Sequence, residues 1–253
     1  MKHRARIYEG KTKILYEGPQ PYTNILFFKD DIGTINIANN EKLEGKGLLN
    51  NRISEHILLL LQKSGIPTHF IKRLNLREQL VKSVEMIPIK VVVRNIAAGS
   101  IARRFNLKVG SALPQTIIEF YYKDLKLNYP LVSEEHITAF GWANSGELDD
   151  ILQYSVRVND FLNGFFASMN LSLVDLKLEF GRFSYDNLLQ IILADELSPE
   201  NIRLYDEKKH TLYSIGRETS HASNLVYYKM ISEKLGIIQE VTNNKKFTPH
   251  IVS

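Results

Sequence analysis

The sequence predicts an α+β protein in which antiparallel sheets are flanked by helices. Two observations support this prediction. Segments in which apolar and polar residues alternate are typical of half-buried strands, and segments with apolar residues three and four positions apart are typical of amphipathic helices. The strand patterns are concentrated near the start of the chain and the longer helix patterns follow them. This separation indicates an α+β fold.

The composition limits the class of protein. The chain has 253 residues, of which 44% are hydrophobic and 24% charged, enough for one large domain or two lobes around a filled core. The absence of cysteine excludes disulfide scaffolds and thiolate metal sites. The chain shows no signal-peptide pattern, and its most apolar run is too short to span a bilayer. We therefore expect a cytoplasmic protein without a membrane partner.

The net charge of +4 leaves two classes of partner open. A mildly basic surface is compatible with nucleic acid and equally compatible with anionic metabolites. A long run of basic residues is the usual footprint of a nucleic-acid-binding protein, and this sequence has no such run. We expect small-molecule substrates and no nucleic acid.

The first third of the chain is predicted to be rich in strands. Alternation predicts strands in RIYEGKTKILYEG and in NILFFKDD, with a turn at EGPQPYTN. An apolar stripe predicts a helix that ends at Gly65. Further strands are predicted in THFIKRL, EQLVKSVE and IPIKVVVRN. A boundary near Glu85 to Pro88 would divide the chain into an N-terminal lobe over 1–86 and a C-terminal lobe over 87–253.

The remaining two thirds are predicted to hold four helices and a hairpin. A short helix in GSIARRFN would be capped by Ser100, and a long helix would begin at SGELDD and carry Val156 in its apolar set. LSLVDLKLEFG and LLQIILADE would form the hairpin. Ser198 and Pro199 predict a helix start that carries Arg203, and a last helix ends at Gly236.

The hairpin carries the first candidate site. In VDLKLEFG the polar positions are Asp175, Lys177 and Glu179. A three-residue loop over 186–188 would place Glu179 opposite Asp195, roughly 5 Å away. Paired carboxylates suit Mg²⁺, which binds one or two protein oxygens together with phosphate and water. The alternative is a solvated strand face whose salt bridges have little consequence.

The N-terminal segment YEGKTK carries a candidate phosphate site. Gly10 would let backbone approach a phosphate, and Lys11 and Lys13, two apart on a strand, would project to the same side as a triphosphate clamp. The segment is not a Walker A loop. The alternative is a charged hairpin edge that protects against aggregation.

Two further stretches are candidate anion sites. In VVVRNIAAGS a buried strand ends at Arg94, and Ser100 begins a helix whose free N–H groups favour negative charge. In DELSPENIRLYD, Arg203 follows soon after Asp195, where it would bind an anion beside the metal. Ordinary helix capping and surface arginines are the alternatives in both stretches.

The stretches YEGKTK, GKGLLNN, VVVRNIAAGS, VDLKLEFG and DELSPENIRLYD, in this order and spacing, resemble the SAICAR synthetase family of purine biosynthesis. The likeness covers residues 4 to 206, and a weaker likeness extends to 236. It implies a two-lobed fold related to ATP-grasp enzymes and protein kinases. It also implies an ATP-dependent ligase that joins the carboxylate of carboxyaminoimidazole ribonucleotide (CAIR) to the amine of L-aspartate through an acyl phosphate. The products would be SAICAR, ADP and phosphate.

The resemblance also implies roles for individual residues. The residues implied for ATP are Gly10, Lys11 and Lys13 at the phosphates, the hinge from Lys82 to Met86 at the adenine, and Lys123 nearby. Those implied for Mg²⁺ are Glu179 and Asp195. Those implied for the CAIR phosphate and carboxylate are Arg94, Ser100 and Arg203. The candidates for direct catalytic roles are Asp175, Lys177 and Arg94.

Some positions depart from the family pattern, and other readings stay open. Lys90 stands where the family usually has an acid, Asn36 stands where Asp is common, and Arg217 lies in a weak match. A small-molecule kinase on a similar scaffold is the alternative function, although the sequence has neither H-R-D nor D-F-G. A homo-oligomer could use YYKDLKLNYPLV or the pair Tyr227-Tyr228, which core packing explains equally well.

Overall fold

A computed structural model describes residues 4–31, 42–186, 188–215 and 219–238. Within these ranges the strands form two antiparallel sheets, and five helices accompany them. The predicted α+β class is confirmed. In the part of the chain that the structure describes, no helix is both long and apolar enough to cross a membrane.

The first sheet has the strand order β1-β2-β3-β5-β4. Its strands are β1 Arg6–Glu9, β2 Lys13–Glu17, β3 Thr23–Phe28, β4 Phe70–Arg73 and β5 Glu78–Lys82. Helix α1, Lys46–Lys63, connects to β4 and packs on it. The strand predictions and the helix prediction for this region are confirmed.

The second sheet has the order β12-β11-β9-β6-β7-β8, and β10 also pairs with β9. Its strands are β6 Glu85–Ile96, β7 Ala112–Tyr122, β8 Leu131–Val132, β9 Ser172–Tyr185, β10 Leu188–Ala194, β11 Ile202–Asp206 and β12 Thr211–Tyr213. The helices of this region are α2 Ser100–Arg104, α3 Glu134–Ala139, α4 Ser145–Ala167 and α5 His221–Lys234.

The register of β9 aligns charged side chains on one face of the second sheet. Asp175 pairs with Arg94 on β6 and with Arg203 on β11, and Glu179 pairs with Lys90 on β6. Directly paired residues project to the same face, and residues two apart on a strand do so as well. These five residues therefore share one face of the sheet, while the intervening leucines of β9 face the core.

One apolar core extends across the boundary predicted at residue 86. It joins Ile57 of α1 to Phe166 of α4, Leu193 of β10 and Tyr227 of α5. The first sheet ends at Lys82 and the second begins three residues later. The division into two lobes at residue 86 stays a prediction.

Tyr227 and Tyr228 are buried core residues. The Tyr227 hydroxyl donates to the Ile202 carbonyl at 2.8 Å, and the Tyr228 hydroxyl donates to Asn50 Oδ1 at 2.8 Å. Both rings are 1% exposed. Core packing, the alternative left open by the sequence, therefore accounts for this tyrosine pair within the chain.

Three predicted features of the fold are wrong. Strands do not precede helices, because β4, β5 and the whole second sheet follow α1. The sequence did not predict β7, whose apolar and polar residues alternate weakly. Val156, placed in the apolar set of α4, is 43% exposed because it lies off the stripe formed by Ile151, Val158 and Leu162.

Two predicted caps are also wrong. The N-cap of α2 is Gly99, and Ser100 is the first residue of the helix and makes no side-chain cap. The segment after Pro199 is a turn that leads into β11, so Arg203 lies on a strand and not on a helix. Ser198 Oγ accepts from the Glu200 N–H at 3.2 Å, which closes the turn, and Ile202 and Leu204 then alternate into the core.

The core position of Phe166 gives a stability prediction. Phe166→Ala should lower the free energy of unfolding by about 3–5 kcal/mol, because it leaves a cavity among buried side chains. Denaturant unfolding measures this change. Val156→Ala is the control on the same helix, and a loss as large as that of Phe166→Ala would contradict the burial assigned to the two positions.

Candidate active site

The charged face of the second sheet carries two clusters of side chains. The lysine cluster consists of Lys13, Lys90, Lys123, Glu179, Asp195 and Glu196. The arginine cluster consists of Arg94, Arg104, Arg203, Asp175, Glu119 and Tyr121. β9 links them, since Asp175 and Glu179 are four residues apart on that strand.

In the lysine cluster, three ammonium groups contact three carboxylates. Lys13, at the start of β2, contacts both Asp195 and Glu196 just beyond β10. Lys123 contacts Glu179, and Lys90 Nζ lies 3.6 Å from Glu179 Oε1. The positive charge of Lys123 also lowers the pKa of Asp195. The cluster therefore joins the first sheet to the second.

The predicted register of the β9–β10 hairpin is wrong by one residue. Leu188 pairs with Tyr185, so the connection is shorter than the three-residue loop assumed, and Ala194 is opposite Glu179. Asp195 follows the strand with a φ of +63°, in the left-handed region that aspartate tolerates better than most residues. This backbone conformation turns the chain out of the ladder, and Asp195 contacts Lys13 rather than lying in the cross-strand pair.

Lys13 is shared by two buried carboxylates, and this sharing sets their protonation. Burial alone would raise the pKa of Asp195, but the Lys13 ammonium outweighs it and lowers the value to about 2. Burial raises the pKa of Glu196 to about 7, and repulsion from Asp195 adds to this, because one ammonium cannot neutralise both carboxylates. The two acids raise the pKa of Lys13 against the effect of its own burial.

The donor chemistry of the lysine cluster fits a hard divalent cation. Glu179 and Asp195 supply carboxylate oxygens, the ligands that Mg²⁺ prefers, and both are held by flexible lysines. Among the described residues, no group of three or more His, Cys, Asp or Glu side chains is arranged to hold a metal. Two carboxylates would leave coordination positions for phosphate oxygens and water, as Mg²⁺ with a nucleotide requires.

In the arginine cluster, Arg94 is held from both neighbouring strands. Its Nε donates to Glu119 Oε2 on β7 at 2.7 Å, and its Nη1 donates to Asp175 Oδ2 on β9 at 3.1 Å. The second terminal nitrogen donates to Ser100 Oγ at 2.9 Å. The structure thus brings together Arg94, Ser100 and Asp175, all of which the sequence singled out.

Arg203 enters the same cluster from β11. Its Nε donates to Asp175 Oδ1 at 2.7 Å, and a second nitrogen contacts the other oxygen of that carboxylate. A Cβ at Gly99 would lie 2.6 Å from a terminal nitrogen of Arg203, and Gly99 has a φ of +59°. Glycine at position 99 is therefore required both by its backbone conformation and by the approach of Arg203.

The cationic charge of the arginine cluster exceeds its anionic charge. Lys177, between Asp175 and Glu179 on β9, has its pKa lowered by burial and by the nearby charges of Lys90 and Arg203, against the attraction of Asp175. Its backbone N–H donates to the Asn201 carbonyl at 2.8 Å, which fixes the turn before Arg203. Together with Lys177, the arginine cluster has four basic side chains and two carboxylates, an excess of positive charge that favours a phosphate dianion.

The remaining predicted site residues belong to neither cluster. Lys11 is exposed in the turn between β1 and β2, so the prediction that it shares a strand with Lys13 is wrong. The Gly10 N–H donates to the Lys13 carbonyl at 2.8 Å and closes that turn. Lys82 Nζ lies 5.0 Å from the centre of the Phe183 ring, and Met86 is 38% exposed.

Sequence reasoning missed four members of the clusters, Arg104, Glu119, Tyr121 and Glu196, and it named Lys90 only as a departure from the family pattern. Glu196 follows Asp195 directly, and a second acid beside a candidate ligand was a signal that could have been used. Glu119 and Tyr121 lie two apart on β7, the strand that the sequence did not predict. Asn36 and Arg217, named as departures from the family pattern, lie outside the described residues.

Comparison with known proteins identifies the family. The family model described as SAICAR synthetase matches residues 6–239. The chain belongs to the SAICAR synthetase family. The resemblance inferred from the sequence motifs is confirmed.

Individual relatives of the SAICAR synthetase family match nearly the whole chain. A phosphoribosylaminoimidazole-succinocarboxamide synthase from Bartonella tribocorum is 55% identical over 241 residues, 95% of each chain. One from Bartonella henselae is 53% identical over 253 residues, all of both chains.

Solved structures of the same family share the fold. A phosphoribosylaminoimidazole-succinocarboxamide synthase from Ehrlichia chaffeensis is 40% identical, with a TM-score of 0.85, over 93% of this chain and 100% of that one. A SAICAR synthetase in complex with ADP is 32% identical, with a TM-score of 0.82, over 95% and 99% of the two chains.

The raised pKa of Glu196 gives a pH prediction. The folded-state pKa is about 7 and the usual value is 4.5, so folding favours the protonated form. This stabilisation is complete below pH 4.5 and is lost as the pH rises through 7. In the absence of divalent cations, Glu196→Gln should therefore gain stability relative to the wild type between about pH 5 and about pH 8. Parallel pH profiles of the free energy of unfolding would contradict this assignment.

Proposed function

We propose that the chain is an ATP-dependent ligase of purine biosynthesis. It joins the carboxylate of CAIR to the amine of L-aspartate and releases SAICAR, ADP and phosphate. Membership of the SAICAR synthetase family supports this function. The structural observation that carries it is the strand β9, which presents Asp175, Lys177 and Glu179 between a cluster suited to a metal–nucleotide and a cluster suited to a phosphate.

The lysine cluster is the proposed site for the nucleotide phosphates. Glu179 and Asp195 would hold Mg²⁺, and Lys13 and Lys123 would move from these carboxylates to phosphate oxygens. Bound there, Mg²⁺ would neutralise the negative charge that otherwise opposes transfer of a phosphoryl group to an anion. Gly10 and Lys11 lie in the adjoining turn, and the segment from Lys82 to Met86 is the proposed adenine contact.

The arginine cluster is the proposed site for CAIR. Arg94, Arg203 and Ser100 supply N–H and O–H donors to its phosphate and carboxylate, and their fixed positions favour bidentate contacts. Lys177 lies between the two clusters. Burial and the charges of Lys90 and Arg203 lower its pKa, and a bound substrate anion would oppose this shift.

The proposed reaction has two steps. An oxygen of the CAIR carboxylate attacks the γ-phosphorus of ATP, the bond to the bridging oxygen breaks, and ADP leaves. The aspartate amine then attacks the carbonyl carbon of the acyl phosphate and loses a proton, and phosphate leaves with the oxygen that came from the carboxylate. Lys177 and Arg94 are the candidates to stabilise the negative charge that develops on the carbonyl oxygen.

The proposed reaction predicts a specific dependence of ADP release on substrates. Rapid ADP release should require CAIR and L-aspartate together. It should be slow with either substrate alone, because the enzyme completes its catalytic cycle only when both are present. A coupled assay for ADP measures this. Equal release with one small molecule alone would contradict the ligase and favour a small-molecule kinase.

The proposed metal ligands give a second prediction. Glu179→Ala and Asp195→Ala should each lower kcat by at least ~10²-fold at saturating Mg²⁺, the scale of losing one electrostatic stabiliser of the transition state. Steady-state kinetics measure the change. Asp150→Ala, at an exposed position of α4, is the control, and near-normal turnover of either site variant would refute the assignment.

A further inference from the structure

Glu119 is a buried carboxylate that neither the sequence motifs nor the proposed reaction uses. It lies on β7, opposite Val92 of β6, and is 8% exposed. A carboxylate at that depth is retained only where cations and hydrogen-bond donors compensate the loss of water. Its partners therefore indicate what it does.

Three side chains converge on Glu119. Arg94 Nε donates to Oε2 at 2.7 Å, the Tyr121 hydroxyl donates to the same oxygen at 2.8 Å, and Arg104 contacts Oε1. Burial alone would raise the pKa of Glu119, but Arg104 and Arg94 outweigh it and lower the value, so the group is ionised at neutral pH. The carboxylate thus holds two guanidinium groups at once.

This arrangement determines which nitrogens of Arg94 remain for other partners. Glu119 binds the inner Nε, while a terminal nitrogen reaches Ser100 Oγ at 2.9 Å and the Tyr121 hydroxyl at 3.2 Å. A guanidinium is planar, so fixing Nε fixes the plane in which both terminal nitrogens lie. Asp175 holds the other terminal nitrogen, so Glu119 is the carboxylate that fixes the guanidinium at Nε.

We propose that Glu119 is a positioning residue that orients Arg94 and Arg104 toward the phosphate of the ribonucleotide substrate, with Arg104 as a further contact to that phosphate. Arg104 lies on α2, four residues after Ser100, and its side chain is 33% exposed. Among the three arginines of the cluster it has the most exposed side chain, against 20% for Arg203 and 4% for Arg94, and it is the most accessible to an incoming anion. The inference rests on the proposed function.

If Glu119 had the opposite role, removing its charge would have the opposite effect on CAIR binding. If the carboxylate merely neutralised Arg94 and Arg104, the substrate phosphate would compete with it, and removing its charge would tighten binding. If it orients them, removing its charge weakens binding of CAIR and leaves the nucleotide unaffected. The Michaelis constants of the two substrates therefore separate the two roles.

Glu119→Gln is the test. The amide keeps the shape of the side chain but loses one acceptor and turns N–H groups toward the arginines. We expect the KM for CAIR to rise by about tenfold or more, as for loss of a hydrogen bond between charged groups, with the KM for ATP within about twofold of wild type. Steady-state kinetics measure both constants, and calorimetric titration with SAICAR measures binding independently of turnover.

Glu55→Gln is the matched control. Glu55 Oε2 accepts from Arg73 Nε at 2.7 Å, the same geometry as Glu119 and Arg94, but on α1 and β4 outside the clusters. This variant should leave both constants unchanged. Thermal unfolding of both variants separates lost stability from lost binding.

Arg104→Met provides a second test, because Arg104 is partly exposed and its loss leaves Glu119 paired with Arg94. It should raise the KM for CAIR at least about threefold, as expected for a partly exposed charge contact. An unchanged or lower KM for CAIR in Glu119→Gln, or an equal rise for ATP, would overturn the positioning role. Failure of the proposed function would give a different result. The wild-type protein itself would then release no ADP when CAIR and L-aspartate are supplied with ATP.

Discussion

The antiparallel pairing of β6 with β9 is the constraint on which the site depends. This register places Arg94 beside Asp175 and Lys90 beside Glu179, and β11 adds Arg203 on the far side of Asp175. Because a strand alternates between two faces, the same register buries the leucines of β9 in the core. A slip of one residue would move every charge of β9 into the core, so hydrophobic burial fixes the positions of the charged groups.

The two clusters differ in their balance of charge. The lysine cluster has three lysines and three carboxylates. Glu196 and Asp195 share Lys13, and burial together with repulsion from Asp195 raises the pKa of Glu196. In the arginine cluster the cations outnumber the carboxylates. In the proposed function a cation would complete the first arrangement and a phosphate would complete the second. The separation of the clusters along β9 would then set the distance between the nucleotide and the phosphoryl acceptor.

The sequence predicted most strands and helices of the fold because apolar periodicity is a local signal. It also identified Arg94 and Asp175 on recognisable strands, and it identified Arg203 in DELSPENIRLYD although it predicted a helix there. Glu119 was missed because β7 alternates weakly, so its position beside Arg94 depends on a pairing that no local pattern reveals. The hairpin register was wrong because the turn after Tyr185 is shorter than the loop assumed, and Asp195 then leaves the ladder in a left-handed conformation. Long-range pairing and turn geometry are therefore what the sequence did not determine.

The central claim is that β9 serves a metal–nucleotide at one end and a ribonucleotide phosphate at the other. A crystal structure of the protein with Mg²⁺, ADP and CAIR tests it most directly. The account predicts an ion about 2.0–2.1 Å from carboxylate oxygens of Glu179 and Asp195, and the CAIR phosphate in contact with Arg94 and Arg203. An ion bound elsewhere, or a CAIR phosphate in the lysine cluster, would contradict it.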